Sequence, residues 1–182
     1  MSRDMRDDVA RSPMMMSAGS MVQHYRIIEK LGAGGMGEVF LAEDSRLDRQ
    51  VALKFLPAHL ANNSEARSRF EREARIISQL NHPHICTLYD IGRHHETDFL
   101  VLEYIPGETL ASRLERGPLP VDELLVFGAQ VADGLAKAHR AGVVHRDLKP
   151  GNLMLTASGV KLLDFGLSRP TETRTAESVS SE

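Results

Sequence analysis

The sequence has little of what marks secreted, membrane-spanning or nucleic-acid-binding proteins. A single cysteine, Cys86, excludes an internal disulfide, and its apolar neighbours predict a structural thiol in a buried strand of a protein from a reducing compartment. No apolar run approaches the roughly 18 residues of a membrane span, and residues 1–20 contain no signal-peptide core. The formal charge of −3 provides no general attraction to nucleic acid or to anionic membranes. We therefore expect a cytoplasmic protein with no membrane segment and no nucleic-acid partner.

What the sequence does contain is the composition of a globular protein, with 42% apolar and 26% charged residues. Residues 1–22 show no periodicity and are predicted to form a flexible N-terminal arm. Residues 23–105 are rich in strand patterns and are predicted to form a first lobe. Residues 106–170, which begin with a Pro-Gly turn, are predicted to form a more helical second lobe. Residues 171–182 lack an apolar pattern and are predicted to be disordered.

Hydrophobic periodicity predicts the positions of the individual strands and helices. Strands are predicted at 25–28, 39–42, 51–55, 85–90, 99–104, 153–156 and 160–163, and helices at 65–80 and 122–139. The first helix places Phe70, Ala74 and Ile77 on one apolar face, and Glu73 lies on that same side. An acid that points inward needs a partner. The second helix is predicted to be long and buried, with Leu125 in its core stripe.

A glycine-rich turn between the first two strands is a candidate phosphate-binding site. It comprises Leu31, Gly32, Ala33, Gly34, Gly35, Met36, Gly37, Glu38 and Val39. Glycines at this G-x-G-x-x-G spacing let backbone N–H groups approach phosphate oxygens without obstruction by side chains. A dinucleotide-binding fingerprint has the same spacing but opens a helix, whereas this segment continues as a strand. An ordinary glycine-rich hairpin is the remaining alternative.

Lys54, on the next predicted strand, is a second candidate for contact with phosphate. Because side chains alternate along a strand, Lys54 shares a side with the small residue Ala52, away from Val51 and Leu53. A lysine on that side lies beneath the glycine-rich turn. Glu73 of the following helix is its predicted ion-pair partner. The alternative is a solvated lysine and an unrelated acid.

A polar loop and a short hairpin near the end of the chain supply the remaining candidates. If the last two predicted strands pair about the turn at 157–159, Asn152 lies opposite Asp164. Their amide and carboxylate oxygens are the hard ligands that Mg²⁺ prefers. Asp147 is placed to accept a proton from an attacking hydroxyl, and Lys149 to offset negative charge on a transferring phosphoryl group.

Together these motifs resemble those of the eukaryotic-like protein kinases. They occur in the family's order: the glycine loop, Val-Ala-Leu-Lys, the helix glutamate, His-Arg-Asp-Leu-Lys-Pro-Gly-Asn and Asp-Phe-Gly. The glycine loop and the segment Asn-His-Pro-His-Ile are similar to bacterial serine/threonine kinases in particular. The resemblance covers about residues 24–170. It implies an α+β fold of two lobes, with an antiparallel β-sheet and one long helix in the N-lobe and an incomplete, mainly helical C-lobe.

The resemblance implies a role for each candidate residue. Asp147 would be the catalytic base, with Lys149 and Asn152 beside it, and Asn152 and Asp164 would bind Mg²⁺. Lys54, held by Glu73, would bind the phosphates of ATP. The implied contacts of the adenine ring are Val39, Ala52, Leu102 as gatekeeper, the backbone of Glu103 and Ile105, and Met154.

Two further implications concern activation. Ile77, Leu88, His145 and Phe165 match a hydrophobic stack that aligns in active kinases. Arg146 implies dependence on a phosphorylated activation loop, whose phosphate it would hold. The candidate phosphorylation sites are Ser168, Thr171, Thr173, Thr175 and Ser178.

The implied activity is transfer of the γ-phosphoryl group of ATP to serine or threonine hydroxyls of protein substrates, with Mg²⁺. Because the family's later segments are absent, we expect a fragment with little activity and an exposed apolar patch on helix 122–139 and beneath His145. The alternative is a noncatalytic nucleotide-binding or interaction module. Against that alternative, Lys54, Asp147 and both predicted metal ligands are present. The sequence indicates neither the substrates nor the oligomeric state.

Overall fold

The computed structural model describes residues 16–34, 37–57 and 64–165. Within these ranges a six-stranded antiparallel sheet and one helix form the first lobe. Its elements are β1 (Met21–Val22), β2 (Tyr25–Gly34), β3 (Gly37–Asp44), β4 (Arg49–Phe55), α1 (Ser64–Ile77), β5 (Leu88–His94) and β6 (Thr97–Glu103), with strand order β1-β2-β3-β4-β6-β5. Gly35, Met36, most of the predicted arm, the predicted disordered segment 171–182 and all the candidate phosphorylation sites lie outside the described ranges.

The second lobe combines helices with a small sheet of order β7-β8-β9. Its elements are β7 (Glu108–Thr109), α2 (Leu110–Leu114), α3 (Val121–Arg140), a 3-10 helix (Pro150–Asn152), β8 (Leu153–Thr156) and β9 (Gly159–Leu162). Helix α2 begins at a cap in which Thr109 Oγ1 accepts a hydrogen bond from the Ser112 N–H at 3.1 Å. Helix α3 packs on β9 at Gly134, where a Cβ atom would lie 2.7 Å from Cδ1 of Leu162. A larger residue at this crossing would require the Leu162 side chain to shift.

Two apolar cores hold the fold together. The first lies within the first lobe and includes Val22, Ile27, Phe40, Val51, Leu53, Phe55, Phe99 and Val101. The second is shared by both lobes and includes Phe70, Ile77, Leu88, Leu100, Ala138, Leu153, Leu162 and Phe165. Full burial of one such side chain contributes about 1.5–3 kcal/mol. The shared core therefore fixes the lobes against each other and defines the cleft between them.

The end of the predicted arm belongs to the sheet. Val22 is fully buried, and backbone hydrogen bonds join Gly19 and Ser20 to Ile27. The prediction of a flexible segment fails here because a two-residue strand carries too little alternation to be recognised in the sequence.

Several other element boundaries differ from prediction, and two of these differences have a local cause. Helix α1 ends at Ile77 rather than residue 80, and the hydroxyl of Ser78 donates a hydrogen bond to the Arg75 carbonyl at 3.0 Å. A side chain that bonds locally in this way competes with the helical hydrogen-bond ladder. The strand expected from residue 85 begins at Leu88, because Ile85 instead forms an isolated parallel bridge with Leu162 of the second lobe.

The hairpin β8–β9 has a different register from the one predicted. Leu153 pairs with Leu162 and Thr156 with Gly159, so the turn contains two residues rather than three. The Thr156 hydroxyl closes this shorter turn, because it accepts the Ser158 N–H at 3.1 Å and donates to the Gly159 carbonyl at 2.9 Å. Asn152 consequently bonds to the backbone of Leu163, and Asp164 lies one residue beyond the predicted position.

Helix α3 is largely exposed, contrary to the prediction of a buried helix. Only Gly134 and Ala138 are buried among its residues, and 68% of Leu125 is accessible to solvent. Periodicity identified an apolar stripe, but contacts with β9 cover only part of it. The expected apolar patch is therefore present and includes Val121, Leu124, Leu125 and Val126. His145, in contrast, is buried. In the described part of the chain, no helix combines the length and apolar character needed to cross a membrane.

We predict that Leu125→Gln reduces self-association with little effect on stability. Its side chain is exposed, so the free energy of unfolding should change by no more than about 0.5 kcal/mol. Leu135→Gln is the matched control, because Leu135 packs against the shared core and its replacement should cost at least about 1 kcal/mol. Light scattering and urea denaturation measure the two effects. An equal loss of stability in both variants would contradict the assigned exposure.

Candidate functional site

A cleft of about 830 Å³ lies between the two lobes and contains most of the predicted site residues. Those that line it are Leu31, Gly32, Ala33, Gly34, Gly37, Val39, Ala52, Lys54, Leu102, Glu103, Ile105, Lys149, Asn152, Met154 and Asp164. Three others, Glu38, Glu73 and Asp147, are not among its lining residues. Gly35 and Met36 lie outside the described residues.

The glycine-rich hairpin forms one wall of the cleft. It joins β2 to β3, and Gly34 pairs with Gly37 across its tip. A Cβ atom at Gly32 or Gly34 would meet nothing within 4 Å, so the backbone at these positions is open to a ligand. Gly37 is different, because its φ of +108° and a Cβ position 1.8 Å from the Phe55 carbonyl oxygen exclude any side chain. This glycine allows β3 to lie against β4.

Lys54 forms its ion pair with Asp164. Its Nζ atom lies 2.8 Å from Asp164 Oδ1, and only 4% of its side chain is exposed. The predicted pair of Lys54 with Glu73 is not formed, since Glu73 Oε1 instead lies 3.2 Å from an Arg146 guanidinium nitrogen. Alternation along β4 directs Lys54 into the cleft, where Asp164 follows β9, whereas Glu73 faces the loop after α3. A buried ammonium group needs a negatively charged partner to offset its loss of hydration, and here the partner is the Asp164 carboxylate.

Asp147 is held by its neighbours in the polar loop. The Asn152 side-chain amide donates to the Asp147 carbonyl oxygen at 2.8 Å and to its carboxylate Oδ2 at 3.0 Å. Lys149 Nζ lies 2.9 Å from the same carboxylate oxygen. The 3-10 helix Pro150–Asn152 returns the chain sharply enough for these contacts between residues close in sequence. The carboxylate is thus buried, oriented and placed beside a positive charge.

His145 ties this loop to the segment that carries Asp164. Its Nε2–H donates to the Leu163 carbonyl at 2.7 Å, and its ring lies 4.7 Å from the Phe165 ring. Burial lowers the pKa of His145 below its ordinary value, so the imidazole is neutral at neutral pH. Phe165, Ile77 and Leu88 belong to the shared core. The four residues of the predicted stack therefore lie in and beside one apolar cluster.

The donor set at the base of the cleft suits a hard divalent cation. Asp164 contributes a carboxylate, and Asn152 contributes an amide oxygen because its nitrogen is used by Asp147. Carboxylate and amide oxygens are ligands that Mg²⁺ accepts, together with phosphate oxygens of a bound nucleotide. No cluster of three or more His, Cys, Asp or Glu residues with metal-binding geometry occurs in the described ranges. A cation here would therefore depend on ligand oxygens as well as on the protein.

Several residues of the cleft were not predicted from the sequence. They are Cys86, Tyr104, Gly107, Glu108, Thr109, Ser112, Gly151 and Leu163. Residues 104–112 include the Pro-Gly turn predicted at the start of the second lobe, and that turn was the available signal that this segment borders both lobes. Cys86 is the structural thiol that was expected in a buried strand, although it lies just before β5. Burial raises the pKa of Cys86 to about 12, so the thiol is protonated and unreactive as a nucleophile.

Comparison with known proteins identifies the family. The sequence matches the protein kinase domain family over residues 25–181. The chain belongs to this family. Bacterial serine/threonine kinases are among its relatives, as the glycine loop indicated.

Among these kinases, pkn2 of Myxococcus xanthus is 40% identical over 172 residues, which cover 91% of this chain and 21% of the relative. PrkC of Bacillus subtilis is 42% identical over 146 residues, 79% of this chain and 22% of the relative. PknL of Mycobacterium bovis is 44% identical over 147 residues, 80% of this chain and 37% of the relative. The chain therefore spans only 21% to 37% of the length of these kinases.

Solved kinase structures share the fold. The kinase domain of Mycobacterium tuberculosis PknI superposes with a TM-score of 0.76 at 33% sequence identity. The match covers 85% of this chain and 64% of that structure. The prediction of a two-lobed kinase fold with an antiparallel N-lobe sheet is confirmed.

We predict that Gly37→Ala destabilises this chain, whereas Gly34→Ala does not. The new methyl group at residue 37 would clash with the Phe55 carbonyl and strain a left-handed backbone, at a cost of about 1–3 kcal/mol. The methyl group at residue 34 would meet open space. Urea denaturation midpoints of both variants test this difference, and equal midpoints would contradict it.

We also predict a loss of stability in mildly acidic solution that depends on His145. Since its pKa is lower in the folded chain than the ordinary value of 6.5, the unfolded chain binds more protons in that window. The contribution of neutral His145 to the free energy of unfolding is complete above about pH 6.5 and is lost as the pH falls through the lowered pKa. His145→Phe should show a smaller difference in unfolding free energy between pH 7.5 and pH 5.5 than the unchanged chain. An undiminished difference in the variant would assign the acid sensitivity to other groups.

Proposed function

We propose that this chain carries the ATP-binding and phosphoryl-transfer centre of a cytoplasmic serine/threonine protein kinase. The observation that supports it most is the convergence, in and beside one cleft, of the open glycine hairpin, the Lys54–Asp164 pair and the Asp147 carboxylate held by Asn152 and Lys149. Membership of the protein kinase family supports the same activity. The substrates are serine and threonine hydroxyls of proteins.

Nucleotide binding uses residues from both lobes. The adenine ring lies between Val39 and Ala52 on one side and Met154 on the other, all of which line the cleft. Leu102 borders the base, and the backbone of Glu103 and Ile105 provides its hydrogen bonds. The open backbone of the glycine hairpin and the Lys54 ammonium receive the phosphates. Asn152 and Asp164 hold Mg²⁺, which neutralises part of the phosphate charge when bound.

The transfer step follows from the position of Asp147. Its carboxylate accepts the proton of the substrate hydroxyl while the hydroxyl oxygen forms a bond to the γ-phosphorus atom. The bond between that phosphorus and the bridging oxygen breaks, and ADP leaves with the electron pair. Lys149 lines the cleft with its ammonium 2.9 Å from the Asp147 carboxylate, and from there it offsets negative charge on the transferring group. Atoms and charge balance without any further reactant.

A second candidate function is that of a noncatalytic nucleotide-binding module. The ion pair of Glu73 with Arg146 favours it, because that contact withholds Glu73 from Lys54. Within the described ranges, the acidic partner of the lysine is Asp164, which is also the proposed metal ligand. We therefore propose that the chain by itself has little activity while the Glu73–Arg146 pair persists.

Transfer of labelled γ-phosphate from ATP to a generic basic protein, with Mg²⁺, tests the proposal. Asp147→Asn removes the base and should lower the rate by about 10²–10⁴-fold. Asp133→Asn is the matched control, since Asp133 is exposed on α3 and pairs with His82 at 3.2 Å, away from the cleft. The control should retain the full rate.

The outcomes separate the two candidate functions. Loss of transfer in Asp147→Asn, but not in Asp133→Asn, would support the kinase. Bound ATP without transfer by the unchanged chain would instead support the noncatalytic module. An unchanged rate in Asp147→Asn would refute the role of Asp147.

A further inference from the structure

An ion pair between Lys161 and Glu103 joins the two lobes at the hinge, which is the connecting segment 103–107 from the end of β6 to the start of β7. Lys161 Nζ lies 2.6 Å from Glu103 Oε1 and 2.8 Å from Oε2, so both carboxylate oxygens are engaged. The side chains are 18% and 23% exposed, which places the pair mostly out of water. Glu103 is the last residue of β6, and Lys161 lies on β9. The contact thus connects the first-lobe sheet to the second-lobe hairpin.

Glu103 is also anchored from the segment before β5. Its own N–H donates to the Thr87 carbonyl at 2.9 Å, and the Thr87 N–H donates to Glu103 Oε2 at 3.1 Å. The Cys86 thiol approaches the Glu103 carbonyl oxygen at 3.7 Å. Backbone and side chain of one hinge residue are therefore restrained together. The same two residues, Thr87 and Glu103, therefore share a backbone hydrogen bond and a hydrogen bond to the carboxylate.

The partner of Glu103 is set by the same hairpin that forms the floor of the cleft. Lys161 lies directly opposite Met154 in the β8–β9 register, and directly opposite residues in an antiparallel pair project on the same face. Met154 lines the cleft, whereas Lys161 is not among its lining residues. One strand pair therefore supplies both a surface for the base and a cation that holds the hinge.

We propose that Lys161 is a positioning residue for the nucleotide, which fixes the Glu103 carboxylate and thereby orients the hinge peptides that face the adenine ring. This inference rests on the proposed binding of ATP. A partly buried carboxylate without its cation is unfavourable and would move toward water. The hinge peptides would then sample orientations that cannot bond to the adenine ring. The free energy of nucleotide binding would include the cost of restoring the orientation that can. Contacts with the phosphates, made at the other end of the cleft, would be unaffected.

Calorimetric titrations with ATP and with inorganic tripolyphosphate, each with Mg²⁺, test this role in the full chain. Lys161→Met should weaken ATP binding by about fivefold to tenfold and leave tripolyphosphate binding within about twofold. Lys161→Arg should restore most of the ATP affinity, because a guanidinium can also engage both carboxylate oxygens. Glu103→Gln should reproduce the loss of ATP affinity. The double variant Lys161→Met, Glu103→Gln should lose less binding free energy than the sum of the losses in the two single variants. Glu96→Gln, which breaks an exposed ion pair with Arg93, is the control.

The results distinguish the inference from the proposed function beneath it. If the unchanged chain binds ATP and Lys161→Met binds it equally well, the inference fails and nucleotide binding stands. Equal weakening for both ligands would also overturn it, because a general loss of structure would then explain the effect. Failure of the unchanged chain to bind ATP would overturn the proposed function and the inference together.

Discussion

The burial of one charged group, the Lys54 ammonium, constrains the rest of this molecule. Only 4% of the side chain is exposed, and a charge taken out of water requires an opposite charge against it. That charge belongs to Asp164, 2.8 Å away and on the other lobe. The lobes must therefore stay close, and the segment after β9 must deliver Asp164 to one position. The apolar core shared by α1, α3, β8 and β9 maintains this arrangement.

Other ion pairs among the described residues also join the lobes, and two of them border the cleft or its hinge. Glu73 pairs with Arg146, and Glu103 pairs with Lys161. As in the Lys54–Asp164 pair, the first residue of each belongs to the first lobe and the second residue to the second lobe. An ion pair that spans two lobes converts a change of partner into a change of lobe position. The charges of the cleft thus act both in ligand binding and in the arrangement of the fold. This dual use is the physical basis for the coupling proposed between the hinge and the nucleotide.

Short-range patterns predicted much of this site, and the errors have local causes. Alternation along β4 correctly separates Lys54 and Ala52, which line the cleft, from the core residues of that strand. The register of β8–β9 was wrong because turn length depends on hydrogen bonds of the Thr156 hydroxyl, which hydrophobic periodicity does not report. The burial of α3 was wrong because a stripe such as that of Leu125 shows which side is apolar, not whether a neighbour covers it.

By itself, the sequence determined the family, the glycine hairpin and the types of group available for chemistry, because these are properties of residue identity and spacing along the chain. Only the tertiary structure decided which carboxylate forms an ion pair with which positively charged side chain. Glu73 is suited by its position on α1 to pair with Lys54, yet it pairs with Arg146. Lys161 carries no motif, yet it holds the hinge. Coulomb attraction depends on the distance between charges in the folded chain, and that distance is set by packing among residues far apart in sequence.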